Sequence, residues 1–215
     1  MVLKAGDKFP EGVKFGWAPI LDEDPTVCGI PQLYDANKEW AGKKVVIVAV
    51  PGAFTPSCSA YHLPPYVQKF DELKSKGVDI VAFIANNDEF VLNGWGKVNR
   101  VPKGDDFLML ADNKTFFSEN YGWQAGPNKG DRTGRWAMIV EKDGSISYAE
   151  NEAKLQDVEV SSVEACSLAQ GLCSLVPNKT VSQAIRLAAD AVVRRKVQLE
   201  CKKLRKKFNS IQSRA

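Results

Sequence analysis

One cysteine stands where a protein chain can turn a thiol into a nucleophile. Cys58 ends the segment Pro51–Cys58, which follows an apolar run and precedes an amphipathic stretch. If Thr55 caps a helix there, Pro56 takes the first helical position, where its missing N–H is tolerated, and Cys58 is the third residue. The unpaired N–H groups and the dipole of that turn favour an anion, and the thiolate is the nucleophilic form of cysteine. By residue type alone Cys58 would be a small buried hydrophobe, but its position favours chemistry.

The other candidate residues exclude several kinds of site. His62 is the single histidine of the chain, so a Ser-His-Asp hydrolase would have to be built around it. It lies one helical turn beyond Cys58 on the same face, and we interpret it as a polar wall of that site and not as a base. One histidine, without a Cys-x-x-Cys pair, gives no metal-ligand set, and the sequence has no glycine-rich phosphate loop. We therefore expect neither a metal nor an organic cofactor.

Apolar patterning predicts the elements that must position these residues. Continuous β-branched runs predict buried strands, and apolar residues three or four apart predict helices between them. The predicted strands are 44–50, 78–84, 107–110 and, around the turn Asp143-Gly144, the hairpin of 135–140 with 145–148. The predicted helices contain 63–73 and end near Gly77, run from the cap Asn87-Asp88 through Val98, and cover 115–121. This order predicts an α/β fold, a mixed sheet with helices on both faces.

Composition and charge divide the chain into two parts. Its 215 residues are 44% hydrophobic and 26% charged, which excludes a disordered or low-complexity protein. From Lys179 onward 11 basic and two acidic residues give a net charge of +9, whereas the preceding residues carry a net charge of −6. We place the boundary at Pro177, with one domain over 1–176 and a basic helical extension over 177–215, because 180–211 lacks glycine and proline.

The extension has two interpretations. The first is a helix packed on the body or on a second subunit with a solvated basic face, and the second is a basic helix that docks an acidic protein, a nucleic acid or a membrane surface. Nucleic-acid binding is not favoured, because aromatic residues that would stack on bases do not alternate with the basic ones. A membrane is not an expected partner either, and no apolar run is longer than Val45–Val50, which is far too short to span a bilayer.

Around Cys58 the sequence resembles a known family. The pattern Pro51-x-x-x-Thr55-x-x-Cys58 resembles the peroxidatic signature of the peroxiredoxins, and its flanking residues resemble the type-five group. Further matching segments are 62–64, 85–88, 134–138 and 160–164. The resemblance extends from about Lys4 to Gln170 and leaves the basic extension out. It implies a thioredoxin-like fold and the reduction of hydrogen peroxide or organic hydroperoxides.

The resemblance also implies a role for each matching residue. Cys58 would attack the O–O bond as a thiolate and become a sulfenic acid. Thr55 would orient thiolate and peroxide, Pro51 would shield the sulfenate from water, and Arg135 would stabilise the charges that develop. Arg132 is the alternative arginine if the alignment slips. The residues expected to line the substrate pocket, together with the backbone N–H of Cys58, are Phe54, Ser57 and His62.

Two cysteines are candidates for resolving the sulfenate. Cys28 resembles the position that some fungal members use across a dimer, and Cys166 resembles the one that other type-five members use within one chain. A third possibility is an enzyme with one catalytic cysteine. The resemblance implies a homodimer, and thioredoxin, glutaredoxin or glutathione as the reductant. Cys173 and Cys201 match no family position, and we interpret both as inert thiols.

One alternative function stays open, together with the location. The protein could instead be a peroxide-sensing interaction protein whose basic extension docks a partner. Its N-terminus lacks the apolar stretch of a secretory signal, and five cysteines without regular spacing fit a reducing compartment. We therefore expect a cytoplasmic protein, or an organellar one if a targeting segment has been removed.

Overall fold

A computed structural model describes residues 1–126 and 130–172 of the protein. Within this part seven strands form one mixed sheet in the order β2-β1-β5-β4-β3-β8-β9, and β6 pairs with β7 in a separate two-stranded sheet. The strands are β1 (Lys14–Trp17), β2 (Gln32–Asp35), β3 (Val45–Ala49), β4 (Ile80–Ala85), β5 (Phe107–Ala111), β6 (Gln124–Ala125), β7 (Arg132–Thr133), β8 (Trp136–Val140) and β9 (Ile146–Asn151). The α/β class predicted from the pattern is confirmed.

The three central strands β3, β4 and β5 are parallel, whereas β1, β2, β8 and β9 pair antiparallel. Every residue of β3 is buried, because helices cover both faces of the sheet. The helices are α1 (Ala36–Glu39), α2 (Leu63–Gln68), α3 (Phe70–Ser75), α4 (Glu89–Val98), α5 (Phe116–Asn120) and α6 (Val163–Leu172). A π-helical turn, Cys58–His62, precedes α2, and a 3-10 turn, Asn113–Thr115, precedes α5.

The alternation along β3 divides the core into two clusters. Val46 and Val48 pack into the cluster beneath α2, α3, α4 and α6, while Val45 and Ile47 pack into the cluster on the opposite face. Successive residues of a strand point to opposite faces, so one apolar strand supplies both clusters. The chain leaves this strand at Pro51, and the candidate nucleophile therefore lies at the carboxyl end of a central parallel strand.

Two helix predictions were wrong in detail. The helix predicted through Leu73 is broken at Lys69, whose backbone (φ −105°, ψ 16°) separates α2 from α3. The helix predicted from Thr115 begins one residue later. The Asp112 carboxylate satisfies its N-terminal turn, accepting hydrogen bonds from the N–H groups of Phe117 and Ser118 at 2.7 and 3.0 Å. In contrast, Asp88 caps α4 as predicted, accepting from Val91 N at 2.8 Å.

Several predictions concern residues that the structure does not describe. The boundary at Pro177, the basic helix over 177–215, Cys173 and Cys201 all lie outside the described residues. Strands β1 and β2 were not predicted at all. In the part of the chain that the structure covers, no helix combines the length and apolarity that crossing a membrane requires.

Candidate active site

The turn that carries Cys58 is wider than an α-helical one. Leu63 N–H donates to Cys58 O, five residues back, and closes the π-helical turn Cys58–His62. Pro64 and Pro65 follow in the first turn of α2 and have no N–H, so neither can donate an α-helical hydrogen bond back into the turn that carries Cys58. Such π-turns are frequent at functional sites. Here the turn leaves the side chains of both Cys58 and His62 fully buried.

The loop before Cys58 is fixed by backbone contacts. Pro56 begins the helix and Cys58 is its third residue, as predicted, but the Thr55 hydroxyl donates to Gly52 O at 2.8 Å and makes no cap. Ala53 N–H donates to the Asn87 side chain at 2.8 Å. Phe54 adopts a left-handed backbone conformation with φ 58°. This conformation is unfavourable for any residue other than glycine. These contacts hold the loop against the next strand.

Arg135 directly precedes β8 and reaches the Cys58 sulfur. Its Nη2 donates to Cys58 Sγ at 3.4 Å, its Nη1 lies 2.8 Å from His62 Nδ1, and its Nε donates to Leu155 O at 2.6 Å. Arg135 as a whole is 2% exposed. Arg132, the alternative, is exposed. Of the two arginines, only Arg135 is therefore placed to stabilise a thiolate at Cys58.

The residues predicted to form the pocket differ in exposure. His62 is buried beside Arg135, Ser57 is half-buried, and Phe54 is 58% exposed. Pro51 and Thr55 are half-buried at the two ends of the loop. In the described residues no cluster of histidine, cysteine and acidic side chains has the arrangement of a metal site.

The two candidate resolving cysteines lie in opposite environments. Cys28 is exposed. Cys166, in α6, is fully buried, and its sulfur lies 3.1 Å from the Tyr66 hydroxyl. Burial raises the pKa of the Cys166 thiol to about 12, so that sulfur is a poor nucleophile at neutral pH. All three described cysteines are free thiols.

Sequence reasoning did not find a second set of residues behind the site. Ser161 O accepts from His62 Nε2 and also lies within hydrogen-bond distance of Tyr66 Oη, in both cases at 2.8 Å. Glu152 Oε1 accepts from Ser161 N and Oγ, each at 2.7 Å. Ser161 belongs to a segment that resembles the type-five group, but nothing in a single sequence indicates that it contacts residue 62.

Comparisons with known proteins agree with this geometry. The Redoxin family model matches residues 4–166. Peroxiredoxin Pen c 3 of Penicillium citrinum is 49% identical over 163 residues, 75% of this chain and 95% of that protein. A putative peroxisomal peroxiredoxin of Lipomyces kononenkoae is 44% identical over 152 residues, 69% of this chain and 90% of that protein.

A solved structure supports the same assignment. Reduced Prx3 from Vibrio vulnificus, in complex with hydrogen peroxide, superposes with a TM-score of 0.66 at 34% identity, over 79% of this chain and 99% of that one. Its fold and the contact between a buried cysteine and a buried arginine here agree with the predicted thioredoxin-like architecture. The chain therefore belongs to the peroxiredoxins, in the type-five group that its signature resembles, and it is a thiol-dependent peroxidase.

Proposed function

We propose that Cys58 is the peroxidatic cysteine and that it reduces hydrogen peroxide and organic hydroperoxides. The 3.4 Å contact between Arg135 Nη2 and Cys58 Sγ carries the proposal. The thiolate attacks one peroxide oxygen, the O–O bond breaks, and the other oxygen leaves as hydroxide or alkoxide and takes up a proton. Cys58 is oxidised by two electrons to a sulfenic acid while the peroxide is reduced. Arg135 stabilises both negative charges, because a fixed donor in a buried site needs no reorganisation.

The other loop residues have supporting roles in this proposal. Thr55 orients the peroxide with its hydroxyl, and Pro51 limits the access of water to the sulfenate. The backbone N–H groups of Ser57 and Cys58 lie in the first helical turn, which favours negative charge. Phe54, an exposed member of the loop, offers an apolar surface to the organic part of a larger hydroperoxide.

We further propose that Cys28 of a second copy of the chain resolves the sulfenate. Its thiol attacks the sulfenic sulfur, a Cys58–Cys28 disulfide forms, and the sulfenic oxygen leaves as water. This step needs no further oxidant or reductant. The exposure of Cys28 supports this role, and so do the exposed apolar side chains beside it, Val27, Ile30 and Leu33, which suit a contact with another subunit. Cys166 is disfavoured, because burial and the raised pKa of its thiol keep it unreactive.

The test compares Cys28→Ser with Cys166→Ser after addition of one equivalent of hydrogen peroxide. The wild-type chain and Cys166→Ser should run as covalent dimers on a non-reducing gel, with a Cys28–Cys58 peptide in the mass map. Cys28→Ser should stay monomeric on that gel and retain a Cys58 sulfenate that a dimedone probe traps. A Cys58–Cys166 disulfide in Cys28→Ser, formed as fast as the dimer of wild type, would contradict the assignment.

The reductant and the location complete the proposal. Thioredoxin, glutaredoxin or glutathione returns the disulfide to thiols, and the three are distinguished by the turnover that each supports. We place the protein in the cytoplasm; the Lipomyces relative that is named peroxisomal makes the peroxisome the alternative. Fluorescence microscopy of a tagged full-length chain decides between the two compartments.

The basic extension is proposed to be separate from the catalytic domain. The family match ends at residue 166, which supports a domain over 1–176 and an appended segment over 177–215. Deletion of 177–215 should leave the rate constant for peroxide unchanged within about twofold, as expected for an appendage that contributes no catalytic group. A large loss of rate in a folded, truncated protein would show that the extension belongs to the active unit.

A further inference from the structure

His62 has a defined tautomer that the proposed chemistry does not use. Its Nε2 lies 2.8 Å from Ser161 O, and a peptide carbonyl only accepts, so Nε2 carries the hydrogen. Its Nδ1 lies 2.8 Å from Arg135 Nη1, and a guanidinium only donates, so Nδ1 carries none. Burial lowers the pKa of His62 to about 3. The imidazole is therefore neutral at physiological pH, and both of its nitrogens are occupied.

His62 belongs to a closed ring of hydrogen bonds. Arg135 donates to His62 and His62 donates to Ser161 O. Ser161 donates from its N–H and hydroxyl to Glu152 Oε1, and Glu152 N–H donates back to Arg135 O at 2.9 Å. Each member donates to the next, so the ring fixes the backbone and the side chain of Arg135 together. All four residues are buried, with Glu152 the most exposed at 6%.

The ring determines which groups lie in contact with the Arg135 guanidinium, and therefore which negative charge it can stabilise. The partners of Arg135 are Leu155 O, the neutral His62 nitrogen and the Cys58 sulfur. Among these three, only the sulfur can carry a negative charge. A carboxylate in the place of His62 would neutralise Arg135 directly, whereas an imidazole satisfies Nη1 and leaves the positive charge for a thiolate.

We propose that His62 is a positioning residue, which as a neutral acceptor holds the Arg135 guanidinium against Cys58 and takes no part in proton transfer. This inference rests on the proposed roles of Cys58 and Arg135. His62 acts through Arg135 and not on the peroxide, so its removal changes the ionisation of the Cys58 thiol together with the rate.

Two isosteric variants separate the two nitrogens of His62. The side-chain amide of asparagine reaches the position of Nδ1 and keeps an acceptor for Arg135, while it loses the bond to Ser161. The amide of glutamine reaches the position of Nε2 and keeps the donor to Ser161, while it loses the acceptor for Arg135. Leu73→Ala, a buried change in α3, is the control for general destabilisation.

The measurement is the thiolate absorbance of Cys58 near 240 nm against pH, in full-length protein whose other cysteines are replaced by serine, together with the rate constant for peroxide. His62→Gln should move the midpoint upward by about one pH unit and slow the reaction about tenfold at pH values below the wild-type midpoint, as expected for the loss of one buried bond to a charged donor. His62→Asn should keep both the midpoint and the rate constant close to those of wild type. Leu73→Ala should lower stability without moving the midpoint.

The outcomes distinguish this inference from the proposed function. If wild-type Cys58 does not react with peroxide, the proposed function fails. If it reacts and His62→Gln matches wild type in midpoint and rate, or shifts no more than Leu73→Ala, the positioning role fails alone. A second readout is direct, since the chain has one histidine. Nitrogen-15 NMR should show Nε2 protonated, Nδ1 unprotonated and no titration between pH 8 and 5; a protonated Nδ1 or a midpoint near 6.5 would overturn the proposal.

Discussion

At the scale of single residues, the site depends on a buried positive charge placed against a sulfur. Arg135 is 2% exposed and donates hydrogen bonds to Leu155 O, His62 Nδ1 and Cys58 Sγ. Desolvating a guanidinium costs free energy unless hydrogen-bond acceptors replace the lost water. The arrangement is therefore specific to arginine, because lysine presents a single ammonium and cannot meet three partners in a plane.

The first prediction follows from this geometry. Arg135→Lys keeps the positive charge but loses the three-way contact, and we expect the rate constant for peroxide to fall about 100-fold, as for the loss of an oriented donor at a developing charge. Competition kinetics with a reference peroxidase measure it. Arg132→Lys, at an exposed position three residues earlier, is the matched control and should react like wild type. A larger loss in Arg132→Lys than in Arg135→Lys would reverse the assignment of the two arginines.

The nucleophile could be predicted from the sequence and its arginine from the family resemblance, whereas the contacts that support them could not. Cys58 is marked by local features, a Thr-Pro-Ser-Cys turn after an apolar strand. The contacts of Arg135 with His62 and of His62 with Ser161 join residues 73 and 99 positions apart. A single sequence carries no local signal for such contacts, since they arise only when β8 and the segment before α6 pack against the Cys58 turn.

At the scale of elements, proline and short strands explain the differences between prediction and structure. Pro64 and Pro65 withhold two N–H groups, and the expected α-helical turn opens into the π-turn that buries both Cys58 and His62. Strands β1 and β2 have four residues each and no continuous apolar run, so their pattern does not differ from that of a loop. The long apolar strands β3 and β4 were predicted because burial on both faces requires such runs.

Helix α4 also holds the loop that carries Cys28. Lys97 is 8% exposed, and its Nζ donates to Asp24 O at 2.9 Å and to Val27 O. These bonds tie the backbone just before Cys28 to a helix that packs on the sheet. A buried ammonium satisfied by carbonyl oxygens makes a strong local anchor, because an unpaired one would be costly.

The second prediction concerns this anchor. Lys97→Met keeps most of the side-chain volume and removes the donor, so the amides of residues 22–30 should exchange hydrogen about tenfold faster, as expected for the loss of one charged hydrogen bond. Hydrogen exchange with mass spectrometry measures it, and the peptides of β3 are the internal control. Unchanged exchange in 22–30 would show that other contacts hold the loop.

At the scale of the whole molecule, the site lies near the boundary between the parallel and the antiparallel parts of the seven-stranded sheet. An apolar cluster packs on each face of that sheet. Strand β3 pairs parallel with β4 and antiparallel with β8. Cys58 follows β3 and Arg135 precedes β8, so the antiparallel register of β3 with β8 brings the two residues together. The topology explains why residues 77 positions apart share one site.

The third prediction is the response of stability to acid. His62 is buried and neutral, and its pKa falls from 6.5 to about 3 on folding. Between these values the unfolded chain binds a proton that the folded one does not, so stability is retained above pH 6.5 and falls as the pH decreases through that window. Inside the window this group contributes about 1.4 kcal/mol per pH unit.

Urea unfolding of reduced protein, at a fixed concentration and at pH values from 7 to 4, measures this slope. The carboxylates titrate alike in wild type and in His62→Gln, so the difference between the two slopes isolates the imidazole. His62→Gln, whose side chain has no proton to gain, should lose less stability on acidification. Parallel curves for the two proteins would mean that His62 titrates alike in the folded and unfolded chains.

The most direct test of the central claim is peroxide consumption by wild type and Cys58→Ser with excess dithiothreitol. A peroxidase with Cys58 as its nucleophile consumes many equivalents of hydrogen peroxide per chain, and Cys58→Ser, which folds with a near-isosteric hydroxyl, consumes none above the background. We predict this result. Sustained turnover by Cys58→Ser, or consumption of a single equivalent by wild type, would contradict the account.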